Sequence, residues 1–295
     1  MEKLVSVMQS QNKQKFIFVG NRKFVLEEMI SLKLNLQTLV IKNTHLEKDK
    51  ILNGIQHKII QNKEDLLNYI NDNNFDVLVS NGCPHILPIS KLKKKIYVNI
   101  HPSHLPDLKG IDPCLGSILY SRDGGATCHI MDDTIDGGPI ISRIRIPFTN
   151  DLDVSLMYQL SFIAEKKVFH DSFKKRFKAN IIPEKGDWIY YSRKPEDRII
   201  NFNENPEKIV QRIKTFSNKS QGCFFKYKDK EFKVYDAEFV DNEFAVSHSK
   251  KFGNLDIIFN YEDSIIFKKD NKVLKLNKVY GPINDLVKGT PINKS

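Results

Sequence analysis

The sequence predicts an α/β protein: a Rossmann-like open sheet covered by helices, followed by a small β-rich, OB-like domain. Two observations carry this expectation. Continuous apolar runs alternate with amphipathic helical stretches over residues 15–178, the pattern of a sheet buried on both faces. Pro183, Gly186 and Pro195 then interrupt the pattern, and short strands follow one another between Asp, Asn, Gly and Lys turns. The predicted division is one domain over 1–182, a linker over 183–194 and a β-rich domain over 195–295.

The first strand is the apolar run 15–20, stopped by Gly20, and residues 25–34 repeat apolar positions at helical spacing. A strand over 38–41, a helix over 63–71, a buried strand over 75–80 broken by Asn81 and Gly82, and a strand over 96–100 follow. Open sheets of this kind bind ligands beyond the carboxyl ends of their strands, so chemistry is expected just after Ser80 and just after Ile100. A helix over 115–120, strands over 126–131 and 139–146 and a long helix over 154–178 complete the first unit. Beyond the linker, a helix over 207–215 precedes strands over 223–227, 231–239, 255–259, 264–267 and 272–277, read as a small barrel or sandwich.

Composition narrows the class. The chain has 295 residues, 40% hydrophobic and 28% charged, enough for a sizeable core and incompatible with global disorder. Lys and Arg number 46 against 36 Asp and Glu, a net +10 that attracts phosphate-bearing partners. Lysines such as Lys91, Lys93, Lys94 and Lys95 recur throughout, so the charge reads as dispersed and not as one patch. Cys83, Cys114, Cys128 and Cys223 form no CxxC pair, which argues against a disulfide framework or a cysteine zinc site. Residues 1–14 lack the apolar core of a signal peptide, and no apolar run approaches the roughly 18 residues that span a bilayer. A cytoplasmic protein without a membrane partner is expected.

Candidate chemistry concentrates in two segments. In Asn99-Ile100-His101-Pro102-Ser103-His104-Leu105-Pro106-Asp107-Leu108-Lys109-Gly110, Asn99 and His101 project to the same side of a strand. An amide donor and an imidazole facing one pocket suit an oxyanion and a proton. The second segment, 127–139, supplies carboxylates on a glycine-terminated loop, and Asp136 near His101 is expected to stabilise the imidazolium and raise its pKa. His101 and His104 have the spacing of a metal pair, but no closed ligand set accompanies them and no metal is expected. Arg22, Lys23 and Lys109 are candidate phosphate contacts.

The two segments resemble the N10-formyltetrahydrofolate-dependent formyltransferases. That family's hallmark is Asn-x-His-x-Ser-x-Leu-Pro followed by Asp-Gly-Gly or Asp-Thr-Gly, matched here by the run from Asn99 to Pro106 and by Asp136-Gly137-Gly138. The resemblance implies Asn99, His101 and Asp136 as the catalytic constellation and N10-formyltetrahydrofolate as formyl donor. It places the pteridine against Cys83, Pro84, His85, Ile86 and Leu87 together with Met131, Asp132, Asp133, Thr134 and Ile135, through main-chain contacts. Ser103, Lys109, Gly110, Arg22, Lys23 and His129 fall to the acceptor side; His129 matches a histidine of glycinamide ribonucleotide formyltransferases. In the mechanism this implies, a primary amine attacks the formyl carbon and Asn99 donates to the oxyanion. His101 shuttles a proton, and Asp136 stabilises the charged imidazole and accepts the amine proton.

The resemblance runs from about residue 15 to about residue 277. Arg193-Lys194-Pro195-Glu196-Asp197-Arg198 and Gly222-Cys223-Phe224 look like the C-terminal domain shared by methionyl-tRNA formyltransferase and the formyltransferase of UDP-4-amino-4-deoxy-arabinose. Glycinamide ribonucleotide formyltransferase generally lacks that domain and carries a serine-glycine loop where this chain has Val19-Gly20-Asn21-Arg22-Lys23. Residues 43–52 are short and mixed in charge, and Asp107-Leu108-Lys109 stands where the tRNA enzymes tend to have arginine. The favoured acceptor is therefore a dTDP-, UDP- or GDP-linked amino sugar for surface polysaccharide, with methionyl-tRNA as the alternative. Two other classes stay open: a formate-releasing hydrolase, and an RNA module in which Phe224, Phe225, Tyr227, Phe232 and Tyr235 interleave with Lys226, Lys228, Lys230 and Lys233. The C-terminal domain either shapes the acceptor site or supports a homodimer.

Overall fold

A computed structural model describes residues 14–293. The absence of a signal-peptide core was read from residues 1–14, of which all but Gln14 lie outside this range. The chain forms two compact units. One runs to Pro113 and includes Asp123–Pro147 and Tyr158–Tyr191; the other comprises Cys114–Arg122, Phe148–Met157 and the chain from Ser192.

The first unit is built on β1 (Lys15–Gly20), α1 (Lys23–Ser31), β2 (Asn35–Ile41), β3 (His57–Ile60), α2 (Lys63–Asp72), β4 (Val77–Asn81) and β5 (Ile96–His101). Helix α3 (Pro113–Leu119), which falls in the second unit from Cys114 on, is followed by β6 (Gly124–Ile130), β7 (Ile140–Ile146) and α4 (Val154–Lys174), whose first residues to Met157 also fall in the second unit. The seven strands are ordered β3-β2-β1-β4-β5-β6-β7. Pairing is parallel from β3 through β5 and antiparallel across β6 and β7. Alternation along the strands sends Phe16, Phe18 and Val79 into one core with Met29 and Phe169, and Ile17, Val19 and Leu78 into the other with Leu66 and Ile70. Each such side chain contributes about 1.5–3 kcal/mol by leaving water, which is why these strands read as unbroken apolar runs.

Two departures from the expected elements have local causes. β3 is an edge strand whose first two residues, His57 and Lys58, face water, so it lacks the apolar signature. The long helix ends at Lys174 and not at 178: Arg176 and Phe177 take positive φ, and the turn sends Phe177 into the core beside Phe16 and Phe173.

The second unit contains α5 (Pro206–Thr215), β8 (Cys223–Tyr227), β9 (Lys230–Phe239), α6 (Glu243–Ser249), β10 (Ile257–Tyr261), β11 (Ser264–Lys269) and β12 (Lys272–Tyr280). Its antiparallel sheet is ordered β10-β11-β12-β9-β8, leaving β10 and β8 as edges. The β8–β9 hairpin turns through Lys228 and Asp229, both at positive φ, as a two-residue connection requires. Phe225 stacks on Phe232 at 5.0 Å between ring centres, and Phe202 meets Phe225 edge-on. Helix α6 was not expected from the sequence; the Asn242 side chain accepts from the Ala245 N–H and starts it.

Candidate active site

The carboxyl ends of β1, β4 and β5 open into a cavity of about 340 Å³. Strand order reverses between β1 and β4, the point at which an open α/β sheet splits its loops apart. Gly20 permits the close approach there: a Cβ on it would lie 2.0 Å from the Asn81 carbonyl oxygen. The cavity is lined by Asn21 and Arg22 after β1, by residues 82–87 after β4, by Asn99, His101, Gly110 and Ile111, and by His129, Met131, Asp132, Thr134, Ile135 and Asp136. Both expected positions, after Ser80 and after Ile100, are on its wall.

Four polar side chains converge. Asn99 and His101 are two residues apart on β5 and share a face, and Asn99 is directly paired with His129 on β6. Asp136 arrives from the loop after β6 with φ at 48°, in the left-handed region that aspartate tolerates better than most residues. The Asn99 Nδ2 lies 3.3 Å from Asp136 Oδ1 and 3.4 Å from His129 Nε2. His101 Nδ1 lies 3.6 Å from Asp136 Oδ2, and His129 Nε2 lies 3.6 Å from Asp136 Oδ1.

Main-chain groups set the tautomers. His101 Nε2 is 2.9 Å from the Leu108 carbonyl and His129 Nδ1 is 2.9 Å from the Ile130 carbonyl. A carbonyl only accepts, so each of these nitrogens carries the proton. In the neutral rings, the His101 Nδ1 lone pair is left toward Asp136 and the His129 Nε2 lone pair toward Asn99.

Burial decides the charge of His101: Asp136 raises its pKa, as expected of a neighbouring carboxylate, but the net shift is downward. Removal of the imidazole from water lowers the pKa by more than the Asp136 carboxylate and the Leu108 carbonyl raise it. Burial acts on Asp136 in the opposite sense, raising its pKa, but the His101 and His129 rings and the Gly110 N–H outweigh it. The carboxyl sits well below its usual range. The Gly110 N–H donates to Oδ2 at 3.0 Å, so neutral donors support the anion even while His101 is uncharged. Near neutral pH the cluster holds one carboxylate and a neutral imidazole at His101.

The remaining candidates divide. Cys83, Pro84, His85, Ile86 and Leu87 line the cavity, with burial pushing the Cys83 thiol up to about 11, so it stays protonated. Asp133 does not line it; its carboxylate accepts from the Ser90 N–H on the surface. Ser103 is fully buried and donates to the Asp107 carbonyl, so it supports the loop and does not face the cavity. Lys23 is paired with Asp49 at 3.5 Å, and Lys109 bridges through its backbone to Tyr190; neither lines the cavity. Arg22 does. Its guanidinium is ion-paired with the fully buried Glu165 and lies over the Phe162 ring at 5.5 Å.

Tyr190 was missed. It belongs to the segment 183–194, expected as linker, yet residues 189–191 hydrogen-bond to Lys109 and Asp112, and Tyr190 lines the cavity. Gly110 accommodates it: at φ 101° a Cβ would meet the Tyr191 carbonyl oxygen at 2.7 Å and the Tyr190 ring at 3.0 Å. The Trp188, Tyr190 and Tyr191 aromatic run is the only sequence signal that separates this segment from an ordinary linker.

Comparison with known proteins agrees with the motif. A sequence model described as formyl transferase matches residues 26–172, and one described as formyl transferase, C-terminal domain, matches residues 193–288. The chain belongs to the formyl transferase family. This formyl transferase is 29% identical over 190 residues to the methionyl-tRNA formyltransferase of Rickettsia massiliae, a match covering 61% of each chain. Among solved structures it is similar to WlaRD, a sugar 3N-formyl transferase seen with dTDP and 5-N-formyl-THF. That likeness has a TM-score of 0.69 and 18% identity, covering 90% of this chain and 97% of that one. It is also similar to the N-formyltransferase of Helicobacter canadensis in complex with folinic acid and dTDP-3-aminofucose. Here the TM-score is 0.70 and the identity 17%, over 90% of this chain and 100% of the other. At these identities the structural likeness is one of fold.

Proposed function

We propose that this formyl transferase moves the formyl group of N10-formyltetrahydrofolate onto the primary amine of a nucleotide-linked amino sugar. The observation that carries formyl transfer is the Asn99, His101, Asp136 cluster on the cavity wall. The donor's fit rests on the walls beside it. Ile86 and Ile135 line the cavity yet remain 62% and 43% exposed, apolar surface suited to a flat heteroaromatic ring. In this reading residues 82–87 and Met131, Asp132, Thr134 and Ile135 hold the pteridine. The bound donor supplies an activated formyl carbon.

The chain's own groups handle charge and protons. Asn99 Nδ2 makes only long contacts, at 3.3 and 3.4 Å, which it can exchange for a developing oxyanion. The Asp136 carboxylate is ionised and accepts the proton the amine must lose, and His101 Nδ1, with its lone pair beside Asp136, takes it over and would pass it to the donor's N10 as the formyl C–N10 bond breaks and tetrahydrofolate leaves. A proton on Nδ1 converts that contact into a charge-assisted pair at the moment charge is needed.

Support for a sugar nucleotide over tRNA comes from the cations. Among the described residues lining the cavity, Arg22 is the one Lys or Arg side chain, and its guanidinium is already paired with Glu165, so the cavity offers little positive charge. A tRNA requires many phosphate contacts. Sequence identity to the Rickettsia massiliae enzyme favours methionyl-tRNA and makes it the second reading. Mass spectrometry of the protein incubated with N10-formyltetrahydrofolate and, separately, amino-sugar nucleotides or methionyl-tRNA decides. Formyl gain on a sugar nucleotide is expected; gain on the tRNA alone replaces the first reading by the second.

A further inference from the structure

Two main-chain groups of one loop set the state of the catalytic cluster: the Leu108 carbonyl on His101 and the Gly110 N–H on Asp136. Leu108 is fully buried at φ 57°, a conformation that costs a branched residue about 1–2 kcal/mol and must be held by its surroundings. Asp107 is next to it. One oxygen of its carboxylate, Oδ1, accepts from the Leu108 N–H at 2.9 Å and from the Ile189 N–H at 2.9 Å.

Ile189, in the strap formed by residues 189–191, closes the geometry. The peptide plane between Leu108 and Lys109 is pinned at both ends. Its N–H donates to the Ile189 carbonyl at 2.9 Å, and its C=O accepts from His101 Nε2 at 2.9 Å. Because a trans peptide points these groups in opposite directions, fixing the N–H aims the carbonyl. The Lys109 carbonyl in turn accepts from the Tyr191 N–H at 2.9 Å. If this peptide turned over, an N–H would face Nε2 and the ring would have to carry its proton on Nδ1, toward Asp136.

We propose that Asp107 is a positioning residue. Its carboxylate clips the strap 189–191 to the loop and holds the Leu108 carbonyl on His101, so that the imidazole keeps its lone pair at Nδ1. Asp107 does not line the cavity, so it acts through Leu108 and not on a substrate. The proposal rests on the formyl-transfer reading for its catalytic consequence, but not for its geometry.

The test is nitrogen NMR of 15N-histidine-labelled protein without substrate, with His101 assigned by its loss in His101→Gln, together with steady-state kinetics. Wild-type His101 is expected as the Nε2–H tautomer. Asp107→Ala is expected to mix the tautomers and lower kcat about 10- to 100-fold, as loss of a supporting hydrogen-bond partner does. KM for donor and acceptor should move by less than about 3-fold, since no binding contact is removed. Asp107→Asn keeps an oxygen in place and should restore both the tautomer and most of the turnover. A wild-type Nδ1–H tautomer overturns the proposal, as does an Asp107→Ala protein with unchanged tautomer and kcat, or an Asp107→Asn protein that has lost the Nε2–H form. Should Asp107→Ala not fold, wild type and Asp107→Asn still decide. Failure to formylate any acceptor would refute the activity while the NMR result judged the clip alone.

Discussion

At the end of the seven-stranded sheet, Asn99, His101, His129 and Asp136 are drawn largely out of water and held by one another and by main-chain groups. The five-stranded sheet does the reverse. Lys233 lies over Tyr235 at 5.1 Å and Lys272, also paired with Glu207, over Phe239 at 4.6 Å, the aromatic faces serving as supports for surface lysines. One region gathers its buried polar groups around a cavity; the other packs a core of aromatic and aliphatic side chains such as Phe232, Ile257 and Leu274. The +10 charge of the chain is therefore no guide to its chemistry, because the cationic surplus stands on surfaces and the site is built around one carboxylate.

The comparison breaks first at the aromatic core of the second unit. Phe232→Ala removes a ring stacked at 5.0 Å on Phe225 and is expected to cost about 3–5 kcal/mol by denaturant unfolding. Folate binding by the first unit, followed by fluorescence, should persist wherever that unit stays folded.

Next in size is the cluster itself. Asn99→Ala and Asp136→Asn should each lower turnover about 100- to 1000-fold, the loss associated with a single preorganised polar group. Measured kcat within about 3-fold of wild type in folded protein would remove these residues from the chemistry.

A smaller effect sharpens the contrast through pH. Burial lowers the pKa of His101, so the unfolded chain, titrating near its usual value of about 6.5, takes up a proton that the folded site refuses. The stability His101 contributes is complete above that value and is lost as pH falls below it. Denaturant midpoints between pH 8 and pH 5 should fall less in His101→Gln than in wild type; equal slopes would show that His101 titrates alike in both states.

The smallest expected change is at the surface. Lys230 and Asp285 form an ion pair at 2.7 Å with both side chains about half exposed. Lys230→Met should shift stability by less than about 1 kcal/mol and leave formyl transfer untouched. A large loss of transfer would give the second unit a direct part in the chemistry.

Much of this was legible in the residues. The apolar runs beginning at Lys15 and Phe75 announced buried parallel strands because both their faces are covered, and the spacing of Asn99 and His101 put both on one face. β3 escaped because an edge strand shows its polar residues to water, and Tyr190 escaped because proline and glycine around it mimic a linker. Lys23 is a candidate by its charge and Ser103 by its place in the Asn-x-His-x-Ser motif, but neither lines the cavity. Lys23 pairs with Asp49 at the surface and Ser103 is fully buried under its loop.

Alternation and motif spacing are local properties, so the sequence by itself determined the two-part architecture, the place of the candidate site after two strands, and the residue types gathered there. The tertiary structure decided the state of those residues. His101 is neutral because burial outweighs its polar neighbours, its proton stands on Nε2 because the Leu108 carbonyl accepts it there, and Asp136 is ionised because the His101 and His129 rings and the Gly110 N–H reach it from segments distant in the chain. Tautomer and charge depend on what surrounds a side chain in three dimensions, and those neighbours are set only when the loops have folded.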